Sequence, residues 1–182
     1  MIYLFMADGA EEIEAIAVYD VLKRGKRDVV TVGVSGKTVK LSHGLTVVCD
    51  FGIDDVQPDE TLEAVILPGG MPGTINLENS AAVHKFLDYA QAADKLLCAI
   101  CAAPSILGHK QLLRGKRAVC FPGFEKDLYG AEIPADTGVV RDGNIITAKG
   151  AGVALEFGGV ILAALTDADA AADVLSTMQY RA

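Results

Sequence analysis

The grouping of apolar residues constrains this chain more than any other feature. Short, nearly unbroken apolar runs stop at a turn of Asp, Gly, Pro or Cys, and a long amphipathic stretch follows each. Ile2–Ala7, Ala64–Leu67 and Leu96–Ile100 are the clearest runs. Uninterrupted apolar runs of this length belong to strands buried on both faces, which occur in parallel sheets covered by helices. The chain therefore predicts strands at Ile2–Ala7, Asp28–Val34, Leu45–Asp50, Ala64–Leu67, Leu96–Ile100 and Ala118–Phe121. Hairpins are expected through Ser35-Gly36 and at Asp142-Gly143. Helices are expected over Glu11–Arg24, stopped by Gly25, over Ser80–Ala92, capped by Asn79 or Ser80, and from Pro104 onward. Two further helices, near Val153–Leu165 and Ala168–Met178, close the chain.

Strand-helix alternation of this kind implies a flavodoxin-like α/β three-layer sandwich, a mostly parallel central sheet with helices on both faces. At 182 residues with no repeat or linker, one domain spanning 1–182 is expected. In such sheets the site lies past the carboxyl ends of the strands, at a topological switch point. That directs attention to Asp8–Glu14, Pro68–Gly73 and Cys101–Pro104.

Composition excludes several partner classes. Hydrophobic residues make up 51% and charged residues 22%, a globular composition. Sixteen Lys and Arg against 24 Asp and Glu give a net charge of −8, which offers no attraction to nucleic acid or anionic lipid. No stretch approaches the roughly 18 apolar residues of a membrane span, and the N-terminus lacks the basic segment of a signal peptide. A soluble, cytoplasmic protein with its four cysteines as free thiols is expected. Cys98 and Cys101 form a C-x-x-C, but no second such pair and no suitably spaced histidine pair accompanies it, so no metal site is expected.

Cys101 sits between a buried run and a helix that Pro104 can start, with small Ala102 and Ala103 permitting the tight turn of a nucleophile elbow. A helix N-terminus beside it favours thiolate over thiol. Cys98, inside the run, reads as an inert buried thiol; the bland alternative makes Cys101 a small core residue too. Glu14 falls in the apolar arc of its helix with Ala17, Val18, Val21 and Leu22. Either it is a buried carboxyl with a raised pKa, fit for general acid-base work, or it snorkels outward. Pro68-Gly69-Gly70 lacks the Lys-Ser/Thr of a phosphate loop. Gly70 and Ala102 amides would form a two-donor oxyanion hole, unless the glycines serve only a tight turn.

Together, Gly9-Ala10-Glu11-Glu12-Ile13-Glu14, Leu67-Pro68-Gly69-Gly70 and Ala99-Ile100-Cys101-Ala102-Ala103-Pro104 resemble the ThiJ/PfpI superfamily, in its Parkinsonism-associated deglycase (DJ-one) branch. Asn76-Leu77, Ser80-Ala81-Ala82-Val83 and Lys149–Gly152 extend the resemblance over essentially the whole chain. The resemblance implies the same sandwich, akin to class I glutamine amidotransferases, and a homodimer. It also implies Cys101 as reactive cysteine, Glu14 as the carboxyl bonded to it, and Gly70 and Ala102 as backbone donors. Implied activities are cofactor-free conversion of small reactive carbonyls such as methylglyoxal, deglycation of glycated amino groups, and peroxide sensing with holdase-type chaperone function. Relatives often have histidine in a loop facing the cysteine; Gly130-Ala131-Glu132 offers none. Ala102 stands where the peptidase-like branch has histidine, which argues against a Cys–His peptidase or amidase. His43, where relatives often have arginine near the dimer interface, is a candidate anion contact or an exposed loop residue.

Overall fold

A computed structural model describes residues 1–181 of the chain. Its order is β1 (Ile2–Met6), α1 (Glu12–Arg24), β2 (Val29–Gly33), β3 (Thr38–Lys40), β4 (Thr46–Val48), β5 (Phe51–Gly52), β6 (Ala64–Leu67), α2 (Gly73–Glu78), α3 (Ala81–Ala92), β7 (Leu96–Ile100), α4 (Pro104–His109), β8 (Val139–Asp142), β9 (Ile145–Ala148), α5 (Ala154–Leu165) and α6 (Ala168–Thr177). The main sheet runs β5-β2-β1-β6-β7-β9-β8. Every pairing in it is parallel except β8 with β9.

Alternation along β1 assigns its residues to two cores. Ile2, Leu4 and Met6 pack under α1, α5 and α6 through Val18, Val21, Phe157 and Ile161. Tyr3 and Phe5 face the opposite layer, where Phe86 and Leu87 of α3, Leu77 of α2 and Ile106 of α4 bury them. The Phe5 and Phe86 rings meet edge to face at 4.9 Å between centroids, a favoured aromatic geometry. The order in which strands are added reverses at β1: its successor β2 lies on one side, β6 on the other. The loops after β1 and β6 therefore part there and leave a crevice.

Two local expectations are corrected. Ala118–Phe121 is not a strand. Its main chain turns away after a single bridge, Arg117 with Glu132, and the Val119 N–H is satisfied by the Thr147 hydroxyl at 2.9 Å instead of by a ladder. Ser35-Gly36 does not join β2 to a pairing partner; β3 and β4 form a separate antiparallel pair turning at Ser42-His43-Gly44. A short helix to which the sequence pattern assigns no element, α2, also follows Pro72. Asp142-Gly143 does turn a hairpin, and Ser80 caps α3, its hydroxyl accepting from Val83 N–H at 3.3 Å. Among the described residues, no helix is long and apolar enough to cross a membrane.

Candidate active site

Cys101 occupies a sharp turn at the carboxyl end of β7, with φ at +65°. A side chain in the left-handed region costs on the order of 1–2 kcal/mol, and here the surroundings enforce it. Cys101 N–H donates to Ala148 O at 2.9 Å, Cys101 O accepts from Phe121 N–H at 2.8 Å, and Ala103 N–H returns to Ile100 O at 3.1 Å. The next residues are buried and small, so α4 starts at once, with Pro104 in its first turn. The result has the shape of an elbow: the side chain is lifted off the strand and left half-exposed, while Cys98, Cys49 and Cys120 are buried.

Glu14 reaches the same place from α1. The Glu11 carboxylate caps that helix by accepting the Glu14 N–H at 2.8 Å, which fixes the first turn. Glu14 thereby lies on the inward face with Ala15, Val18, Val21 and Leu22, and only 1% of it is exposed. The Gly69 N–H donates to its Oε2 at 2.9 Å, and the Cys101 side chain and the Ala151 amide lie close enough to favour its ionised form. Gly69 is glycine by necessity. A Cβ there would lie 2.6 Å from Cys101 Cβ and 2.8 Å from Glu14 Oε2. Gly70 is held at φ +86°, and the Gly70 and Ala102 amides favour the ionised form of the sulfur.

Burial pushes Glu14 up to about 7, against the opposing hydrogen bonds from Cys101 and Gly69. Burial, then the Glu14 carboxylate, push Cys101 up to about 12, while the Gly70 and Ala102 amides pull it down. The amides expected to favour thiolate are thus opposed by burial and by the Glu14 carboxylate. Two anions cannot share so dry a space, so the pair sheds one proton near neutrality and the second only in strong alkali.

His43 lies apart from that pair. Its Nδ1 is 2.8 Å from Glu12 Oε2, and its N–H donates to Glu12 Oε1 at 2.7 Å. Although burial opposes it, hydrogen bonds from His43 and Ser42 hold Glu12 down at about 2, and Glu12 in turn raises His43. Among the described residues, the one cluster with metal-ligand spacing is Glu11, Glu12 and His43; Cys98 and Cys101 do not belong to it. Gly130-Ala131-Glu132 runs beside Lys116–Ala118 and does not face the cysteine. The residue bonded to the Cys101 turn is Phe121, which motif spacing did not single out. Its signal is the Pro122-Gly123 turn that follows and the buried Cys120 that precedes it.

Residues 1–164 match the model of the DJ-1/PfpI family. Protein DJ-1 homolog B of Arabidopsis thaliana is 33% identical over 178 residues, 97% of this chain and 40% of that protein. The chain thus spans well under half that relative's length. The glutathione-independent glyoxalase DJR-1.2 of Caenorhabditis elegans is 33% identical over 85% of this chain and 82% of its own. A deglycase of Pyrococcus abyssi is 31% identical over 81% of this chain and 89% of its own. The solved structure of oxidized DJ-1 from Toxoplasma gondii superposes with a TM-score of 0.93 at 32% identity, covering 100% of this chain and 98% of that one. The chain belongs to the DJ-1/PfpI family.

Proposed function

We propose that the protein is a cofactor-independent enzyme acting on small reactive carbonyls, of the glyoxalase and deglycase type, with Cys101 as nucleophile and Glu14 as proton carrier. The observation that carries this reading is the buried Glu14 carboxyl brought against the Cys101 turn across Gly69, with the Gly70 and Ala102 amides beside the sulfur; relatives named glyoxalase and deglycase support the substrate class. On a 2-oxoaldehyde, Glu14 takes the thiol proton as sulfur attacks the aldehyde carbon. A C–S bond forms and the carbonyl π pair moves to oxygen, which receives that proton, giving a hemithioacetal. Gly70 and Ala102 amides steady the oxygen as charge builds on it. Glu14, again a carboxylate, removes the remaining hydrogen on that carbon as a proton and returns it to the neighbouring carbonyl carbon through an enediol. A 2-hydroxy thioester results, and water cleaves its C–S bond to release a 2-hydroxy acid and the thiol. The sum is addition of one water, so no external oxidant or reductant enters. An early adduct of an amino group with the same aldehyde offers the same carbon to the sulfur, with the amine as leaving group.

Purified protein should convert methylglyoxal to lactate above a buffer-plus-thiol control, and Cys101→Ala and Glu14→Gln should abolish it. No lactate above that control would overturn the reading.

A second reading, an oxidative-stress sensor with holdase-type chaperone function, is favoured by the exposure of Cys101 alone among four thiols. Peroxide should take Cys101 through sulfenate to sulfinate, one oxygen and one water per peroxide, while the buried thiols lag. Equal oxidation of all four by peptide mapping would count against it. The peptidase alternative lacks its base: His43 pairs with Glu12, and His84 and His109 with Glu78. A homodimer is supported by exposed Ile13 and Ile16 on α1 beside Leu45 and Val48. Sedimentation of Ile16→Asp against the parent chain tests it; equal mass for both would refute that face.

A further inference from the structure

Phe121 is a large apolar side chain left 48% exposed at the site. Its backbone is not a free loop. Phe121 N–H donates to Cys101 O at 2.8 Å, and Phe124 N–H donates to Phe121 O at 3.1 Å. Two residues earlier, Val119 N–H is held by the Thr147 hydroxyl of β9 at 2.9 Å. These bonds fasten the segment to the carboxyl ends of β7 and β9. Cys120 points into the core, so Phe121 points out. The ring's place relative to the chemistry follows from Gly150. A methyl carbon built on Gly150 would stand 3.4 Å from Phe121 Cδ2 and 3.8 Å from Glu14 Oε1. Ring and carboxyl therefore border one small space, which the missing side chain of Gly150 leaves open. Single exposed apolar residues need no explanation on an ordinary surface. One pinned beside a nucleophile and its proton carrier presents an apolar wall to whatever occupies that space.

We propose that Phe121 is the specificity-determining residue of the site, its ring packing against the carbon substituent of the 2-oxoaldehyde and favouring apolar or aromatic substituents over hydrogen. The inference rests on the proposed carbonyl chemistry and names its substrate class; the bond-making steps are those given above, and Phe121 takes no proton or electron pair in them. In a hydrophobic enclosure one methylene discriminates roughly 10–200-fold. A half-exposed wall belongs at the lower end of that range, and aromatic stacking against a phenyl substituent adds to it.

The test compares kcat/KM for glyoxal, methylglyoxal and phenylglyoxal in the parent chain, Phe121→Ala and Phe121→Leu, with the 2-hydroxy acids measured by chromatography. Taking the phenylglyoxal-to-glyoxal ratio within each protein, then comparing proteins, cancels the different aqueous hydration of the two aldehydes. The ratio should fall about tenfold in Phe121→Ala and by less in Phe121→Leu, with the loss appearing mainly in KM. An unchanged ratio in both variants, with turnover retained, overturns the inference and leaves the carbonyl reading standing. No hydroxy acid from any aldehyde in the parent chain overturns both. A loss of turnover in Phe121→Ala that is equal for all three aldehydes, with Phe121→Leu matching the parent ratio, assigns the ring a merely structural role and likewise overturns the inference.

Discussion

Replacing Glu14 with glutamine should stabilise the fold at alkaline pH even as it removes the proposed proton carrier. The amide keeps the shape of the carboxyl, and its oxygen can still accept the Gly69 N–H that now reaches Oε2 at 2.9 Å. What disappears is a buried group that must ionise. In the folded chain, burial raises Glu14 from its ordinary 4.5 to about 7. An acid whose proton affinity rises on folding makes the unfolded chain the better proton donor between those two values. Stability is therefore intact below about pH 4.5, falls as pH rises, and has lost its full share above about pH 7. At about 1.4 kcal/mol for each tenfold change in proton affinity, that share is about 3 kcal/mol. Urea unfolding of both proteins, followed from about pH 4.5 to about pH 8.5, should show the parent chain losing about 3 kcal/mol relative to Glu14→Gln across this window. A Cys101→Ala background repeats the measurement without the thiol and isolates the carboxyl. Parallel stability curves would refute the reasoning, because they would mean that Glu14 ionises in the folded chain as easily as in water. The gain in stability and the loss of activity would come from the same atom, as expected where function holds a strained or desolvated group in place.

Other outcomes follow from the same geometry. Alkylation of Cys101 should rise through about pH 7, where the pair loses its first proton, and Glu14→Gln should erase that step; a single rise at the pH of an ordinary free thiol would contradict a shared proton. Gly69→Ala places a methyl carbon 2.6 Å from Cys101 Cβ and 2.8 Å from Glu14 Oε2, so it should abolish turnover and disturb Cys101 alkylation; a variant with parental kinetics would show that the two loops are not held that close. Phe86→Ala removes a ring only 1% exposed between Tyr3 and Phe5 and should cost about 3–5 kcal/mol in urea unfolding, and a loss below about 1 kcal/mol would contradict that packing.

The sequence made the central strands and the two site side chains legible for different reasons. Unbroken apolar runs at Ile2–Met6, Ala64–Leu67 and Leu96–Ile100 have few ways to be buried except between two helical layers, and they form the middle of the sheet. Glu14 could be placed because a carboxylate in a helix's apolar arc has an energetic cost that needs a reason. Its partners could be guessed only as loops, since the contact joins residues 55 positions apart, Glu14 with Gly69. The composition of Ala118–Phe121 is that of a strand, but its N–H groups go to three unrelated acceptors, Glu132 O, the Thr147 hydroxyl and Cys101 O, which no local pattern reveals. Helix α2, at six residues, is too short to show a helical period. The balance at Cys101 could not be read locally, because a helix start is visible in sequence but the partial burial of the sulfur and its nearness to Glu14 are not.

That depth changes what the site asks of its parts. A thiolate standing free in water would need only the elbow and the start of α4. A sulfur pushed up to about 12 needs a neighbour that takes its proton at the moment of attack, and Glu14, pushed up to about 7, is poised to take one and to give one back near neutral pH. The backbone donors divide between the two members of the pair: Gly69 and Ala151 on the carboxyl, Gly70 and Ala102 on the sulfur. Each set stabilises the negative charge on its own partner, so the proton can sit on either without leaving a buried anion uncompensated. The glycines at 69 and 70 thus bear on both atoms at once, one by admitting the carboxyl and the sulfur to the same space, the other by aiming an amide at the sulfur. The proton's mobility, more than the acidity of either group, is what the crevice between β1 and β6 provides.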